Sequence, residues 1–302
     1  MMSQKTKYLP IIAILGCCLV WGTTFTVVKD VSNSIDPFLL SIFRNSIAAV
    51  SMVLYFLITK KQKVLRDKKA MKNGLVLGVL LGAIYISQTV GITFTSANHS
   101  AFITCSAVVM VPIILLLLGW EKLKFKQLIS ISLVGIGLTL LTLKSQISGL
   151  NLGDLITFSA AIICALHIVY SGKYVRENNF LALIFYQFFF AAIFSVFALF
   201  FKQLTTGFPP VLLNDSAIFS IVYLGLLGTL FCYFVTVWGQ KFVSTIYIAL
   251  IFSLEPLFAS ITNYFVLGET FTTKEMLGGV IVFSGIIIYS VTQTKKTPTT
   301  AQ

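Results

Sequence analysis

Charged residues are scarce in this sequence. Asp, Glu, Lys and Arg make up 11% of the 302 residues, whereas hydrophobic residues make up 57%. A soluble domain normally has about a quarter of its residues charged. The mean hydropathy is correspondingly high, at +0.93. This composition excludes a soluble globular protein and indicates an integral membrane protein.

The sequence also lacks the motifs of common enzymes and of ATP-driven pumps. No glycine-rich phosphate-binding loop, no cluster of metal-ligating residues and no nucleophile–base pair occurs in the gaps between its apolar runs. All five cysteines lie inside apolar runs, where cysteine behaves as a small hydrophobic residue rather than as part of a disulfide framework. We therefore expect no cofactor, no metal and no enzymatic activity.

What the sequence does contain is a succession of long apolar runs separated by short gaps. About 20 helical residues cross a hydrocarbon core of ~30 Å, and only helices or closed barrels satisfy every backbone group in lipid. We therefore predict an all-α integral membrane protein with ten transmembrane helices. The ten runs are 9–28, 37–58, 74–94, 100–119, 128–143, 153–172, 181–201, 216–238, 246–267 and 276–292.

The basic residues predict the orientation in the membrane. Of the 22 Lys and Arg residues, 17 lie at the two termini and in gaps after even-numbered runs, whereas 4 lie in gaps after odd-numbered runs. Because positive charge favours the cytoplasmic side, we expect a multi-pass protein of the bacterial cytoplasmic membrane with both termini in the cytoplasm. The most basic gap, residues 60–72, is interpreted as an anchor to anionic membrane lipid rather than as a nucleic-acid patch.

The two halves of the sequence repeat each other. Residues 120–126 match 268–274 at a shift of 148, and residues 44–49 match 187–192 at a shift of 143. We therefore predict two domains, 1–150 and 151–302, each a five-helix repeat. Five is an odd number, so the second repeat enters the membrane inverted. In transporters built from inverted repeats, the substrate site lies near the midplane between the repeats.

The ninth run carries one carboxylate in an otherwise apolar stretch. Glu255 lies near the middle of residues 247–267 and is followed directly by Pro256. A carboxylate at mid-bilayer is costly, so Glu255 should face a protein interior or a water-filled cavity. Pro256 lacks an N–H group and leaves carbonyl groups near residue 252 free. Two interpretations remain open, a structural kink that ties two helices together and a site for a solute or a proton.

Arg44 lies within the second run, and its repeat partner in the second half is Gln187. Arginine does not deprotonate in proteins, so Arg44 requires a carboxylate, backbone carbonyls or an anionic substrate group. The alternative is a structural arginine that extends towards the interface or clamps neighbouring carbonyls. The sequence leaves open whether Arg44 pairs with Glu255.

Other polar and aromatic side chains within the runs could contribute to a binding site. His167 is the one histidine inside a run, and it is either a packed hydrogen-bonding residue or a proton carrier. Amides tie helices together as readily as they bind ligands, and aromatic rings line cavities or stack on cations. The candidate substrate-binding residues are Trp21, Arg44, Tyr85, Gln88, His167, Gln187, Trp238 and Glu255, with Glu255 also the candidate for proton coupling.

Several short motifs are similar to those of a known family. They are Trp21-Gly22, Arg44 with Ala48-Ala49, Gln88-Thr89-Val90-Gly91-Ile92, Ala165-Leu166-His167 and Ser253-Leu254-Glu255-Pro256. Over about residues 9–292, the sequence resembles the EamA type of the drug/metabolite transporter superfamily. The resemblance implies solute transport, often efflux of amino acids or other metabolites, by alternating access between two inverted five-helix bundles.

The proline of the fourth run departs from the repeat. Pro112 lies four residues beyond the position that matches Pro256. Because proline interrupts helices locally, we expect the fourth and ninth spans to break differently and to contribute unequally to the site.

The leading interpretation is a secondary transporter that exports amino acids or related compounds and couples to protons. Two alternatives are an intramembrane enzyme that uses Glu255 and His167 as acid and base, and a membrane scaffold without transport activity. The expected partners are a small-molecule substrate and membrane lipid, with a homodimer left open and nucleic acid excluded.

Overall fold

The computed structural model describes residues 4–95, 97–142, 151–206, 213–267 and 272–293. The described residues include a short 3₁₀ helix (Gln62–Arg66) and a π-helix (Leu224–Phe231). The α-helices are α1 (Gln4–Val31), α2 (Pro37–Ile58), α3 (Lys68–Phe94), α4 (Ala97–Cys105), α5 (Ala107–Leu117), α6 (Phe125–Thr142), α7 (Leu152–Glu177), α8 (Phe180–Thr206), α9 (Asp215–Tyr223), α10 (Cys232–Gly239), α11 (Thr245–Phe252), α12 (Glu255–Leu267) and α13 (Thr273–Gln293).

These helices form ten membrane spans. Across the described ranges, nine helical stretches are long and apolar enough to cross a membrane, and the shorter apolar stretch Phe125–Leu140 in α6 supplies the tenth span. Three spans are composite: α4 with α5, α9 and α10 with the π-helix between them, and α11 with α12. The predicted all-α membrane fold with ten helices is confirmed.

Polar caps mark where several spans begin. The Asp36 carboxylate accepts the Phe38 N–H at the start of α2. At the start of α7, the Asn151 side chain accepts the Asp154 N–H while the Asp154 carboxylate accepts the Asn151 N–H, which is a capping box. Because these caps satisfy N–H groups that have no partner within the helix, they define where each span starts.

Helices of the first half pack against helices of the second half. Helix α1 contacts α10, α11 and α12, α2 contacts α8, α3 contacts α7 and α8, and α6 contacts α13. Small residues allow the closest approaches: a Cβ atom on Gly78 of α3 would lie 2.6 Å from the Phe190 Cβ of α8. The space enclosed near the centre of the protein is therefore bounded by both halves.

The fourth and ninth spans break at matching positions. Helices α4 and α5 meet at Ser106, and α11 and α12 meet at Ser253 and Leu254. Under the shift of 148 residues that relates the two halves here, residues 253 and 254 correspond to 105 and 106. The expectation that Pro112 makes the two spans break differently is therefore wrong.

A serine lies at each break, and in the ninth span Pro256 follows it: α11 ends at Phe252, whose carbonyl would need the N–H that Pro256 lacks. The Ser106 hydroxyl donates to the Ile103 carbonyl at 2.6 Å, and the Ser253 hydroxyl donates to the Leu250 carbonyl at 2.5 Å. A side-chain hydroxyl that bonds to a carbonyl of the preceding turn competes with the helical backbone bond. Pro112 lies inside α5, and it does not set the position of the break.

Candidate functional site

A central cavity lies between the two halves, next to both helix breaks. It is lined by residues of α1 to α5, α7, α10, α11 and α12. Its volume, counted as room for the centres of water molecules, is about 70 Å³, which is enough for roughly five waters. Six of the eight candidate binding residues line it: Trp21, Arg44, Tyr85, Gln88, His167 and Glu255.

Glu255 is the first residue of α12, and its side chain lines the cavity. It is brought there by a close crossing of α1 and α12, because a Cβ on Gly22 would lie 2.9 Å from the Ala259 nitrogen and 3.1 Å from the Glu255 carbonyl oxygen. Within the described part of the chain, no side chain forms a hydrogen bond or an ion pair with the Glu255 carboxylate. At membrane depth such a group is stable when protonated, or when the cavity holds a hydrogen-bond donor or a cation.

Arg44 projects from α2 into the same cavity and is 2% exposed. Its Nε donates to the Thr229 hydroxyl at 3.1 Å, and its guanidinium carbon lies 3.8 Å from the centroid of the Tyr85 ring. Among the described residues, no carboxylate forms an ion pair with Arg44. The pairing with Glu255 that the sequence leaves open is thus not formed, and one cavity contains a cation and a carboxyl group that do not neutralise each other.

The π-helix of the eighth span packs behind Arg44, outside the cavity lining. Its Thr229 hydroxyl accepts hydrogen bonds from Arg44 and, at 3.0 Å, from the Tyr85 hydroxyl. Its Gly228 carbonyl accepts the Trp21 indole N–H at 2.9 Å. Sequence reasoning missed Thr229 because nothing in the periodicity reveals a π-helix. The two glycines before it, Gly225 and Gly228, were the available signal of a close backbone approach.

His167 lines the cavity, and its hydrogen-bond partner Gln187 lies behind it, outside the cavity lining. The His167 Nε2 is 3.3 Å from the Gln187 Oε1, and the His167 ring packs edge-on against Tyr233 at 5.3 Å between centroids. Gln187 is fully buried outside the cavity lining, and its Nε2 has no hydrogen-bond partner among the described residues. A direct contact of Gln187 with substrate stays a prediction, and the observed contact is with His167.

Trp238, the eighth candidate, lies outside the cavity lining. It packs edge-on against Phe242, with 5.3 Å between ring centroids. Its role in binding also stays a prediction. Gln88, by contrast, lines the cavity and donates from its amide to the Thr104 hydroxyl at 3.3 Å.

The cavity also contains residues that the sequence did not single out. Cys105 and Cys164 place two thiols in the lining. Thr236 also lines the cavity, and its buried hydroxyl oxygen has no hydrogen-bond partner among the described residues. The cavity lining therefore provides one cation, one carboxyl group, a few neutral hydrogen-bonding groups and a largely apolar surface.

A cavity near the midplane of a ten-helix membrane protein, bounded by two halves and by broken helices, is the arrangement of a carrier for small solutes. The comparisons with known proteins give the family. The model of the EamA-like transporter family matches residues 8–143 and, a second time, residues 151–291. The chain belongs to the EamA-like transporter family and is a membrane transporter.

Relatives agree with this assignment. A protein of Archaeoglobus fulgidus named an uncharacterized transporter is 30% identical over 272 residues, which cover 90% of this chain and 82% of that protein. YdfC of Bacillus subtilis, also named an uncharacterized transporter, is 25% identical over 271 residues, which cover 88% of this chain and 86% of YdfC. A protein of known crystal structure matches with a TM-score of 0.76 at 14% identity, covering 97% of this chain and 100% of that one, which shows the fold alone.

Proposed function

We propose that this protein exports a small zwitterionic metabolite, such as an amino acid or a close relative, by alternating access coupled to protons. The observation that carries the proposal is a guanidinium and a carboxyl group that share one cavity without pairing. Arg44 suits a substrate carboxylate, because a guanidinium binds a carboxylate through two parallel hydrogen bonds. Glu255 suits a substrate ammonium group, because that group supplies the positively charged partner that no described side chain provides.

The size of the cavity sets how much of the substrate it encloses. The cavity has room for roughly five waters, which suits a small polar group such as the head of an amino acid. A larger side chain requires the halves to move apart. This motion is the one that alternating access between inverted repeats provides.

A wider cavity supports loading from the predicted cytoplasmic side. It has a volume of about 350 Å³ and lies at the end of the protein where α5 and α7 finish. Its lining includes Trp120, Lys173, Arg176 and Thr245. The Lys and Arg residues in the gaps at this end are the reason for placing this cavity and both termini on the cytoplasmic side.

Polar contacts join the two halves at the opposite end. Asp36 at the start of α2 forms an ion pair with Lys202 of α8. The Thr95 hydroxyl, just after α3, donates to the Asp154 carboxylate of α7 at 3.0 Å. Polar contacts also join the halves at the predicted cytoplasmic end, where Lys69 pairs with Glu177 at 3.4 Å and the Tyr186 hydroxyl donates to the Leu65 carbonyl. The proposed loading from the cytoplasm therefore rests on the larger cavity at that end, about 350 Å³ against about 200 Å³ at the opposite end.

Glu255 gives the proposal its coupling step. The empty site favours a protonated carboxyl group because desolvation disfavours the charged form. A cationic ammonium group favours the ionised form, so substrate binding releases the proton and substrate release takes one up. Proton influx thereby drives substrate efflux. The chemistry of the intramembrane-enzyme alternative is weaker, because His167 is engaged by Gln187 rather than directed at Glu255.

The test is flux through liposomes that contain only the purified protein. Competitors for a labelled amino acid would be a matched set: the amino acid itself, its amide without the carboxylate, its decarboxylated amine and its desamino acid. We expect the intact zwitterion to compete at least about tenfold better than any member that lacks one charge. A zwitterion that competes no better than the amine or the desamino acid, or an absence of flux, would contradict the proposal.

The orientation has its own test. Lys63→Cys and Thr272→Cys place thiols at exposed positions in gaps that the inverted topology assigns to opposite sides. The native cysteines lie within membrane spans, so a membrane-impermeant thiol reagent should label the two introduced cysteines from opposite faces of oriented vesicles. The unmodified protein is the control for background labelling. Labelling of both positions from one face would exclude the inverted arrangement.

A further inference from the structure

Thr229 accepts hydrogen bonds from both Arg44 and Tyr85, which line the side of the cavity that carries the positive charge. It is fully buried, and its hydroxyl oxygen accepts from the Arg44 Nε at 3.1 Å and from the Tyr85 hydroxyl at 3.0 Å. A hydroxyl oxygen has two lone pairs, so these two donors use its acceptor capacity fully. The Tyr85 ring meanwhile lies 3.8 Å from the guanidinium carbon. Arg44 is thus held at its Nε by Thr229 and across its face by Tyr85.

Thr229 lies within the π-helix, and this segment packs closely against Arg44 and its neighbours. Gly225 and Gly228 allow the approach: a Cβ on Gly225 would lie 2.9 Å from the Ile47 Cβ, and one on Gly228 would lie 3.1 Å from the Thr24 Cγ2 and 3.5 Å from the Arg44 Nη2. Each residue that a π-turn adds to an α-helix rotates the following residues by about 100° around the helix axis, so the directions of side chains in this span depend on the π-helix.

The hydrogen bond from the Arg44 Nε to Thr229 determines which edge of the guanidinium remains available to a substrate. A guanidinium carries five N–H groups and binds a carboxylate either through Nε and one Nη or through both Nη atoms. The Nε–H of Arg44 is occupied by Thr229. The end of the guanidinium with its two Nη atoms is therefore the edge that remains for a carboxylate.

We infer that Thr229 is a positioning residue, which holds Arg44 so that its Nη edge receives the carboxylate of the transported molecule. This inference rests on the proposed function, because it assigns Arg44 to the anionic group of the substrate. Thr229 itself contacts Arg44 and Tyr85 rather than the solute. Its loss should weaken recognition of the carboxylate while leaving the translocation step in place.

The test compares Thr229→Val, which keeps the shape and removes the hydroxyl, with Thr229→Ser, which keeps the hydroxyl. We expect Thr229→Val to raise the KM for the zwitterion about tenfold, with a maximal rate within about twofold of the wild type. The KM for the decarboxylated amine should stay unchanged, and Thr229→Ser should restore the KM for the zwitterion. Thr139→Val on α6 is the matched control, because that hydroxyl donates to the Gly135 carbonyl and is exposed away from the cavity.

Three results would overturn the inference: an unchanged KM for the zwitterion in Thr229→Val, an equal rise for zwitterion and amine, or no rescue by serine. If Thr229→Val does not fold, Thr229→Ala decides the question. It also removes the hydroxyl that accepts from the Arg44 Nε, and it should raise the KM for the zwitterion alone.

A readout without transport separates this inference from the proposed function. Propionate carries the carboxylate without the ammonium group, and its binding should raise the unfolding temperature of the purified wild type and of Thr229→Ser but not of Thr229→Val. If the wild type transports no amino acid yet shows this pattern, the proposed function fails and the role of Thr229 stands. If propionate stabilises none of the proteins, or all of them equally, the role of Thr229 fails.

Discussion

The two halves of this transporter contribute unequal side chains at equivalent positions. Arg44 in the first half corresponds to Gln187 in the second, and Glu255 in the second half corresponds to Ala107 in the first, at a shift of 148. Arg44, Ala107 and Glu255 all line the cavity, whereas Gln187 lies behind His167. The first half thus supplies an arginine where the second half has a glutamine, and the second half supplies a glutamate where the first half has an alanine.

Under the proposed function, this division would let a symmetric scaffold bind an asymmetric molecule. The backbones break at the same place in both halves, which suits a scaffold that alternates between two sides. The charges are not equivalent, so the proposal has a zwitterion keep one orientation between Arg44 and Glu255 throughout the cycle.

The largest expected effect comes from removing the charge that the second half contributes. Glu255→Gln keeps the size and hydrogen bonding of the side chain but cannot exchange a proton, so pH-gradient-driven transport should be abolished. Exchange of labelled for unlabelled substrate without a gradient should remain. The measurement is uptake into liposomes with and without an imposed pH gradient.

Glu275→Gln is the matched control for this change. The Glu275 carboxylate accepts the Thr272 N–H at 2.8 Å on the surface, outside both cavity linings, and a glutamine amide oxygen can accept the same bond. Equal gradient-driven rates in the wild type and Glu255→Gln would remove the proton role and leave Glu255 as a structural residue.

The next effect compares Arg44 with its equivalent Gln187. Arg44→Ala should raise the KM for the zwitterion by at least about thirtyfold, since truncating one member of a buried charged interaction costs about 2 kcal/mol or more. Arg44→Lys should have a smaller effect, because the charge remains and the paired geometry is lost.

Gln187→Met, which conserves volume, should change the same KM by less than about threefold, because Gln187 does not line the cavity. Competition assays on all three variants would measure the contrast between the halves. Normal expression and transport by Arg44→Ala, or an equally large effect of Gln187→Met, would refute the proposed division of charge.

The smallest expected effect comes from the serines at the two helix breaks. Ser106→Ala and Ser253→Ala each remove the hydroxyl–carbonyl bond at a helix break. A neutral hydrogen bond contributes about 1 kcal/mol, so each variant should lower the unfolding temperature slightly and by similar amounts. Thermal unfolding of the purified proteins in detergent is the measurement, with Ser284→Ala on α13 as an exposed serine control. A large loss in one variant and none in the other would show that the two breaks are held differently.

The sequence by itself determined the membrane class, the ten spans and the residues whose burial requires a reason. Hydropathy depends only on the local composition of a run, and a charge inside an apolar run is costly wherever the helix lies. Arg44 and Glu255 therefore stand out from the pattern of apolar runs alone. The internal repeat was likewise visible, because duplication leaves matches along the chain.

Only the tertiary structure decided which of these side chains share a cavity. That outcome depends on the rotation of each helix about its axis, and a single extra residue in a π-turn changes the rotation by about 100°. The same dependence hides Thr229 from sequence reasoning and leaves Gln187 and Trp238 outside the cavity lining. The break in the fourth span falls at Ser106 rather than at Pro112, which only the structure revealed, whereas the break in the ninth span lies where Pro256 offers no N–H to the Phe252 carbonyl.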